Sequence, residues 1–170
     1  MDNFLRCFAF TLGAEGGYTD NAADPGNWTG GAVGHGVLHG TKFGISAAAY
    51  PQCDIANLTE AMAEEIYRRD FWAPLQGDVL PLPVALVAFD AAVNAGPRRA
   101  IVWLQQAAGK EADGVLGAAT LAALQAGDAM QLAREALVRR LDFSSRLPIW
   151  PTFGLGWSRR MIALAGELGE

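Results

Sequence analysis

The chain has 170 residues, is 51% hydrophobic and carries a formal net charge of −5. That length suits one well-packed domain, or a domain with a small appendage, and argues against two large independent ones. The acidic balance excludes a protein that holds nucleic acid through clustered Lys and Arg. No apolar run reaches the roughly eighteen residues that a membrane helix needs. Residues 1–20 lack the basic start and small-residue cleavage site of a signal peptide, so synthesis in the cytoplasm without a leader is expected. Cys7, in an apolar helical run, and Cys53, in a loop, do not read as a disulfide framework.

The apolar positions of 4–14 predict a mostly buried helix, which Gly16 and Gly17 should stop. Glu15 stands at its end. The negative pole of the helix macrodipole and desolvation by apolar neighbours both favour a protonated carboxyl there. A carboxylic acid that keeps its proton near neutral pH is what glycosidic bond cleavage needs for its leaving oxygen, so Glu15 is the candidate general acid. Asp24 follows nine positions later in the turn-rich Asn21-Ala22-Ala23-Asp24-Pro25-Gly26-Asn27. In such a solvated loop it should stay ionised, fit to activate water or to face the positive charge developing at an anomeric carbon. The hydroxyl of Thr41 can accept from and donate to a water held between itself and Asp24. Taken singly, a Glu at a helix end is usually just solvated, and an Asp before Pro-Gly usually forms a turn. Spacing and context raise both.

The glycines and short β-branched pieces from 28 to 45 predict a small hairpin. Tyr18, Trp28, Phe43 and Tyr50 surround the candidate residues in sequence and can stack on the apolar face of a pyranose, with Tyr18 and Trp28 preferred. Trp72, Trp103, Trp150 and Trp157 read as core or near-core. Beyond the hairpin the signals are helical. Thr59 is the N-cap of a run to Trp72 with apolar positions at Met62, Ile66 and Phe71, and a helix over 84–92 follows Pro81 and Pro83. Pro97 suits the first turn of a helix carrying Ile101, Leu104 and Ala108. After an Asp113-Gly114 turn come helices over 118–124, 130–147 and 158–168. The expectation is a mainly α, lysozyme-like fold with a small β-hairpin and loop element near the active site, without linker, low-complexity segment or internal repeat.

Glu15-Gly16-Gly17-Tyr18, Asp24-Pro25-Gly26, Gly40-Thr41-Lys42-Phe43-Gly44-Ile45-Ser46 and Tyr67-Arg68-Arg69-Asp70-Phe71-Trp72, in that order, resemble glycoside hydrolase family 108, a peptidoglycan-cleaving family frequent in bacteriophages and prophages. The resemblance implies that Glu15 is the catalytic acid. The step from Glu15 to Asp24 also resembles the Glu, Asp and Thr arrangement of phage-type lysozymes, which implies the roles given to Asp24 and Thr41. The loop between Asp24 and Thr41, through residues 27–40, is longer than in those lysozymes. The second half is similar to the peptidoglycan-binding module that usually follows in the family, through Phe89-Asp90-Ala91-Ala92-Val93-Asn94-Ala95-Gly96-Pro97, Ala100-Ile101-Val102-Trp103-Leu104-Gln105 and Asp113-Gly114-Val115-Leu116-Gly117. Asn94 of that signature joins the substrate-binding candidates. Arg98 stands where the family often has a small residue.

The resemblance implies a lysozyme-like catalytic region over 1–80 and a helical peptidoglycan-binding region over 81–170 packed against it. The implied activity is an N-acetylmuramidase cutting the β-1,4 bond between N-acetylmuramic acid and N-acetylglucosamine, as in a phage or prophage endolysin released through a holin lesion. A lytic transglycosylase, in which the sugar's own hydroxyl replaces water, and a catalytically silent wall-binding protein stay open. The expected partner is peptidoglycan glycan strands, and the chain is expected to act as a monomer. Peptidoglycan carries many carboxylates and is repelled by an acidic surface, which Arg68-Arg69, Arg98-Arg99, Arg139-Arg140 and Arg159-Arg160 can offset locally, although solvated helix faces are the commoner meaning of such pairs. His35 and His39 lie four apart in a glycine-rich stretch that is not helical, without a His-Glu-x-x-His helix, so neither a metal nor any other cofactor is expected.

Overall fold

The computed structural model describes residues 2–13 and 17–168. The fold is mainly α, with seven α-helices and one two-stranded antiparallel hairpin among the described residues. Two compact units make it up, residues 8–68 and residues 1–7 with 69–170.

In the unit of residues 8–68, helix α1 (Asn3–Leu12) contributes its second half. The helix ends at Leu12, with Gly13 left-handed at φ +59°, earlier than the glycines at 16 and 17 would have stopped it. Gly13 supplies the positive φ at no steric cost, so the chain leaves the helix at the first residue that can. The hairpin pairs β1 (Thr41–Lys42) with β2 (Ile45–Ser46), Thr41 opposite Ser46 and Lys42 opposite Ile45, around Phe43 and Gly44, both at positive φ. Isolated bridges join Thr19 to Thr41 and Trp28 to Leu38. Helix α2 (Glu60–Tyr67) starts on Thr59, whose side chain accepts from the Met62 amide. Its buried residues are Ala63 and Tyr67, while Met62 is exposed, so the inward face is turned from the one that Met62, Ile66 and Phe71 suggest. Phe8 meets Tyr67 edge-on at 5.5 Å over a core that includes Ile45, Ile55 and Leu58.

In the other unit, one wide π-helical turn spans Arg68–Trp72, its first residue excepted, and buries Trp72. Phe4, Trp72 and Phe89 form an edge-to-face triangle with centroids 5.5, 5.8 and 5.7 Å apart, a geometry that aligns ring edges with ring faces. Phe89 belongs to α3 (Leu82–Ala95), which is buried continuously from Val84 to Ala92. Around it pack α4 (Pro97–Ala107), with Pro97 in its first turn, and α6 (Ala129–Ser145); α5 (Ala118–Ala126) and α7 (Trp150–Glu167) lie on α6. Helix α7 begins eight residues before Ser158. Pro151 fits its first turn, and Gly154 sits under the Trp150 ring, where a Cβ would come within 2.6 Å, so a residue that reads as a helix breaker is instead a packing site. Trp72 and Trp103 are buried, whereas Trp150 and Trp157 are half-buried and face each other at 6.1 Å.

Asp90 of α3 is fully buried, and its two oxygens take different arginines. Arg140 of α6 donates to Oδ2 at 2.6 Å, and Arg160 of α7 donates to Oδ1 through Nε at 2.9 Å and through Nη2. A carboxylate out of water is tolerable only while its charge is matched, so three helices share one condition. Cys7 is also buried, and burial pushes its thiol up to about 12, which makes it an inert packing group. Among the described residues no helix is long and apolar enough to cross a membrane. Asp90→Ala is expected to cost about 3–5 kcal/mol by leaving Arg140 buried and unpaired; urea unfolding read by circular dichroism checks this, and a loss below about 1 kcal/mol would show the triad to be dispensable.

Candidate functional site

Asp24 caps a short 3-10 turn over Pro25–Asn27. Its Oδ1 accepts from the Gly26 amide at 2.8 Å, and its side chain is exposed, so the second oxygen faces solvent. The local sequence dictates this: Pro25 presets the turn dihedral, and an Asp ahead of it folds back on the amide two residues on. Asn27 closes the same turn, its amide donating to the Asp24 carbonyl at 3.1 Å.

Asn27 is fully buried, and both ends of its carboxamide are hydrogen-bonded. Its Oδ1 accepts from the Thr41 hydroxyl at 2.7 Å, and its Nδ2 donates to the Asn21 carbonyl at 3.0 Å. Its own carbonyl accepts from the amides of both His39 and Gly40 at 3.0 Å. The long loop that separates Asp24 from Thr41 in sequence is therefore pinched shut at its base. Whatever lies between residues 27 and 40, Thr41 comes back to the Asp24 turn. With its proton given to Asn27, the Thr41 hydroxyl keeps its lone pairs for accepting from a water. The Thr41 backbone is fixed separately, by paired bonds with Thr19 of 2.9 and 2.8 Å.

Two aromatic candidates are tied into this frame. Tyr18 is exposed, and its ring lies against Gly40, where a Cβ would come within 2.6 Å of the ring and 2.5 Å of the Thr19 carbonyl. At φ +80° Gly40 also has a backbone that side chains disfavour, so only glycine lets Tyr18 lie there. Trp28 is half-buried, its indole N–H donating to the Ala22 carbonyl at 2.9 Å, which anchors the ring over the segment leading to Asp24. Phe43 stands at the hairpin tip, its carbonyl accepting from the Tyr67 hydroxyl at 3.0 Å and its ring 5.5 Å from the Lys42 ammonium. Tyr50 is half-buried in the turn after β2, its amide donating to the Ser46 carbonyl at 2.9 Å. Asn94 belongs to the other unit, at the exposed end of α3, with Nδ2 donating to the Asp90 carbonyl at 2.7 Å. Glu15 lies outside the described residues.

A cavity of about 550 Å³ opens beside Tyr18, walled by Leu38, His39 and residues 51–56. His39 presents a buried Nδ1 that has no hydrogen-bond partner among the described residues. No group of three or more His, Cys, Asp or Glu able to hold a metal occurs among the described residues. Neither Asn27 nor His39 stands out in the sequence as a site-builder. Asn27 hides in an ordinary turn motif because its decisive partner is fourteen positions away. Asn27→Ala is expected to cost about 1–3 kcal/mol by stranding the Thr41 hydroxyl and the Asn21 carbonyl. Chemical denaturation checks this, and unchanged stability would remove Asn27 from the centre of the loop.

The pattern described as Glycosyl hydrolase 108 matches residues 8–96. The structure is similar to that of Brucella abortus SagA, with a TM-score of 0.79 and 32% sequence identity over 97% of this chain and 92% of that one. No curated protein matches the chain. With more than half of its length inside the family pattern, the chain belongs to glycosyl hydrolase family 108, which makes it a glycoside hydrolase and implies peptidoglycan as what it acts on.

Proposed function

We propose that the chain is an N-acetylmuramidase that hydrolyses the β-1,4 bond between N-acetylmuramic acid and N-acetylglucosamine. Glu15 gives its proton to the bridging oxygen as the bond from C1 breaks, and the positive charge at C1 is met by water. Asp24 takes a proton from that water or offsets the charge, and Thr41 orients the water through its lone pairs. The observation that carries this reading is the pinched loop: the Asn27 side chain holds the Thr41 hydroxyl at 2.7 Å while its amide bonds the Asp24 carbonyl. A carboxylate on an exposed turn, and a hydroxyl bonded to the same turn with its proton already committed, are a fitting pair for one water. The exposed Tyr18 beside its cavity supports a saccharide ring stacked there, with Trp28, Phe43 and Tyr50 as further contacts.

In the same reading the chemistry belongs to residues 1–80, and the helical residues 81–170, Asn94 among them, hold the wall. The chain works as a monomer, without a metal, on glycan strands, as a phage or prophage endolysin reaching the wall after holin-dependent release. Digestion of purified peptidoglycan with the parent chain and Glu15→Gln, followed by mass spectrometry, tests it. Reducing-end muropeptides from the parent are expected, with the rate reduced on the order of 10²–10⁴-fold in the variant. Anhydro-sugar ends would assign the protein to the lytic transglycosylases, and undiminished lysis by the variant would remove Glu15 from the mechanism.

A further inference from the structure

Of the paired arginines along the chain, several are occupied. Arg140 and Arg160 serve the buried Asp90, and Arg69 forms a bidentate pair with Asp70. Arg98 and Arg99, in the first turn of α4, have no carboxylate within ion-pair distance among the described residues, and both are exposed. They open onto a groove of about 880 Å³ between α4 and α6, whose far side carries Arg139 and Arg146. Arg139 reaches Glu135 only at 3.6 Å, and Arg146 pairs with Asp142 in the open. Such exposed pairs exchange easily for another carboxylate.

The groove is also prepared for something other than a bare ion. Arg99 lies over the Phe143 ring at 4.2 Å, which holds its guanidinium plane in place, and Trp103 sits 5.7 Å from the same ring. The one carboxylate at the Arg98 end, Asp113, is turned to the loop it belongs to. Gln105 donates to Oδ1 at 2.7 Å and the Val115 amide does so at 2.9 Å, and these bonds, the Gln105 one first, hold the Asp113 carboxyl below the usual range. Gln105 also takes the Gly114 amide at 2.9 Å, so this wall is rigid. The result is a groove whose lining combines four arginines with Val102, Trp103, Phe143 and Leu147, on a chain whose net charge is −5. Guanidinium forks match carboxylates two bonds at a time.

We propose that the α4/α6 groove binds the peptide stems of peptidoglycan through their free carboxylates, with Arg98 and Arg99 as the principal contacts. This rests on peptidoglycan being the substrate, and it names the part of that polymer which this unit reads. The groove gives an acidic protein a point of attraction on a wall that otherwise repels it.

The test is calorimetric titration of the full-length chain with a synthetic stem peptide and with the same peptide fully amidated, alongside hydrolysis of intact wall by the same preparation. The acid peptide is expected to bind at least 10-fold tighter than the amidated one. Arg98→Ala/Arg99→Ala is expected to remove that difference and Arg98→Lys/Arg99→Lys to restore part of it, with unchanged circular dichroism in both. Equal affinity for the two peptides, or tighter binding of a phosphate polymer such as teichoic acid, would overturn the proposal. So would no peptide binding by a chain that still hydrolyses wall, a result that leaves the hydrolase reading standing. Discrimination between the peptides by a chain that hydrolyses nothing would uphold the groove and reject the hydrolase reading.

Discussion

The unit of residues 8–68 depends on one buried carboxamide. Among its described residues there is little regular structure to organise it: half of one helix, one short helix, one 3-10 turn and two strands of two residues each. In such a segment, buried backbone groups must find partners outside any ladder, or their desolvation goes uncompensated. Asn27 gathers five of these bonds on one fully buried residue, to Asp24, Asn21, His39, Gly40 and Thr41. Because the two amides after the loop both end on its carbonyl, the loop can be long at small entropic cost while its ends stay fixed. Its length therefore does not set the distance from Asp24 to Thr41.

The other unit solves its problem differently. There the helices are long, α3 is buried along most of its length, and packing does the organising. The charged exception is Asp90, which takes arginines from α6 and α7 at once. A buried ion pair offers little over an apolar contact of similar volume, so what losing Asp90 costs is the stranding of its arginines rather than the pair's own net stability. Arginines not committed to it remain for the surface, and the groove between α4 and α6 is where they collect.

What the sequence made legible follows the same division. The helical half could be read from apolar spacing and from local caps: Thr59 does accept from Met62, and Pro97 does open α4. Local rules failed where packing overruled them. Gly154 belongs to the interior of α7 because a ring covers it, and Gly13 ends α1 ahead of the more conspicuous Gly16-Gly17. The hairpin was visible in its glycines, and so were the turn at Asp24 and the hydroxyl at Thr41. What joins them was not, because a side chain bonding fourteen positions along leaves no periodic trace. Nor does residue order reveal that Tyr18 and Gly40 need each other.

Backbone amide hydrogen exchange of the intact chain tests the pinched loop most directly. If Asn27 closes it, the amides of His39 and Gly40 are protected together and exchange far more slowly than that of Gly34 near the loop's far end. Exchange of His39 and Gly40 as fast as Gly34 would show that the loop base is open, and with it would go the physical basis for setting Thr41 beside Asp24.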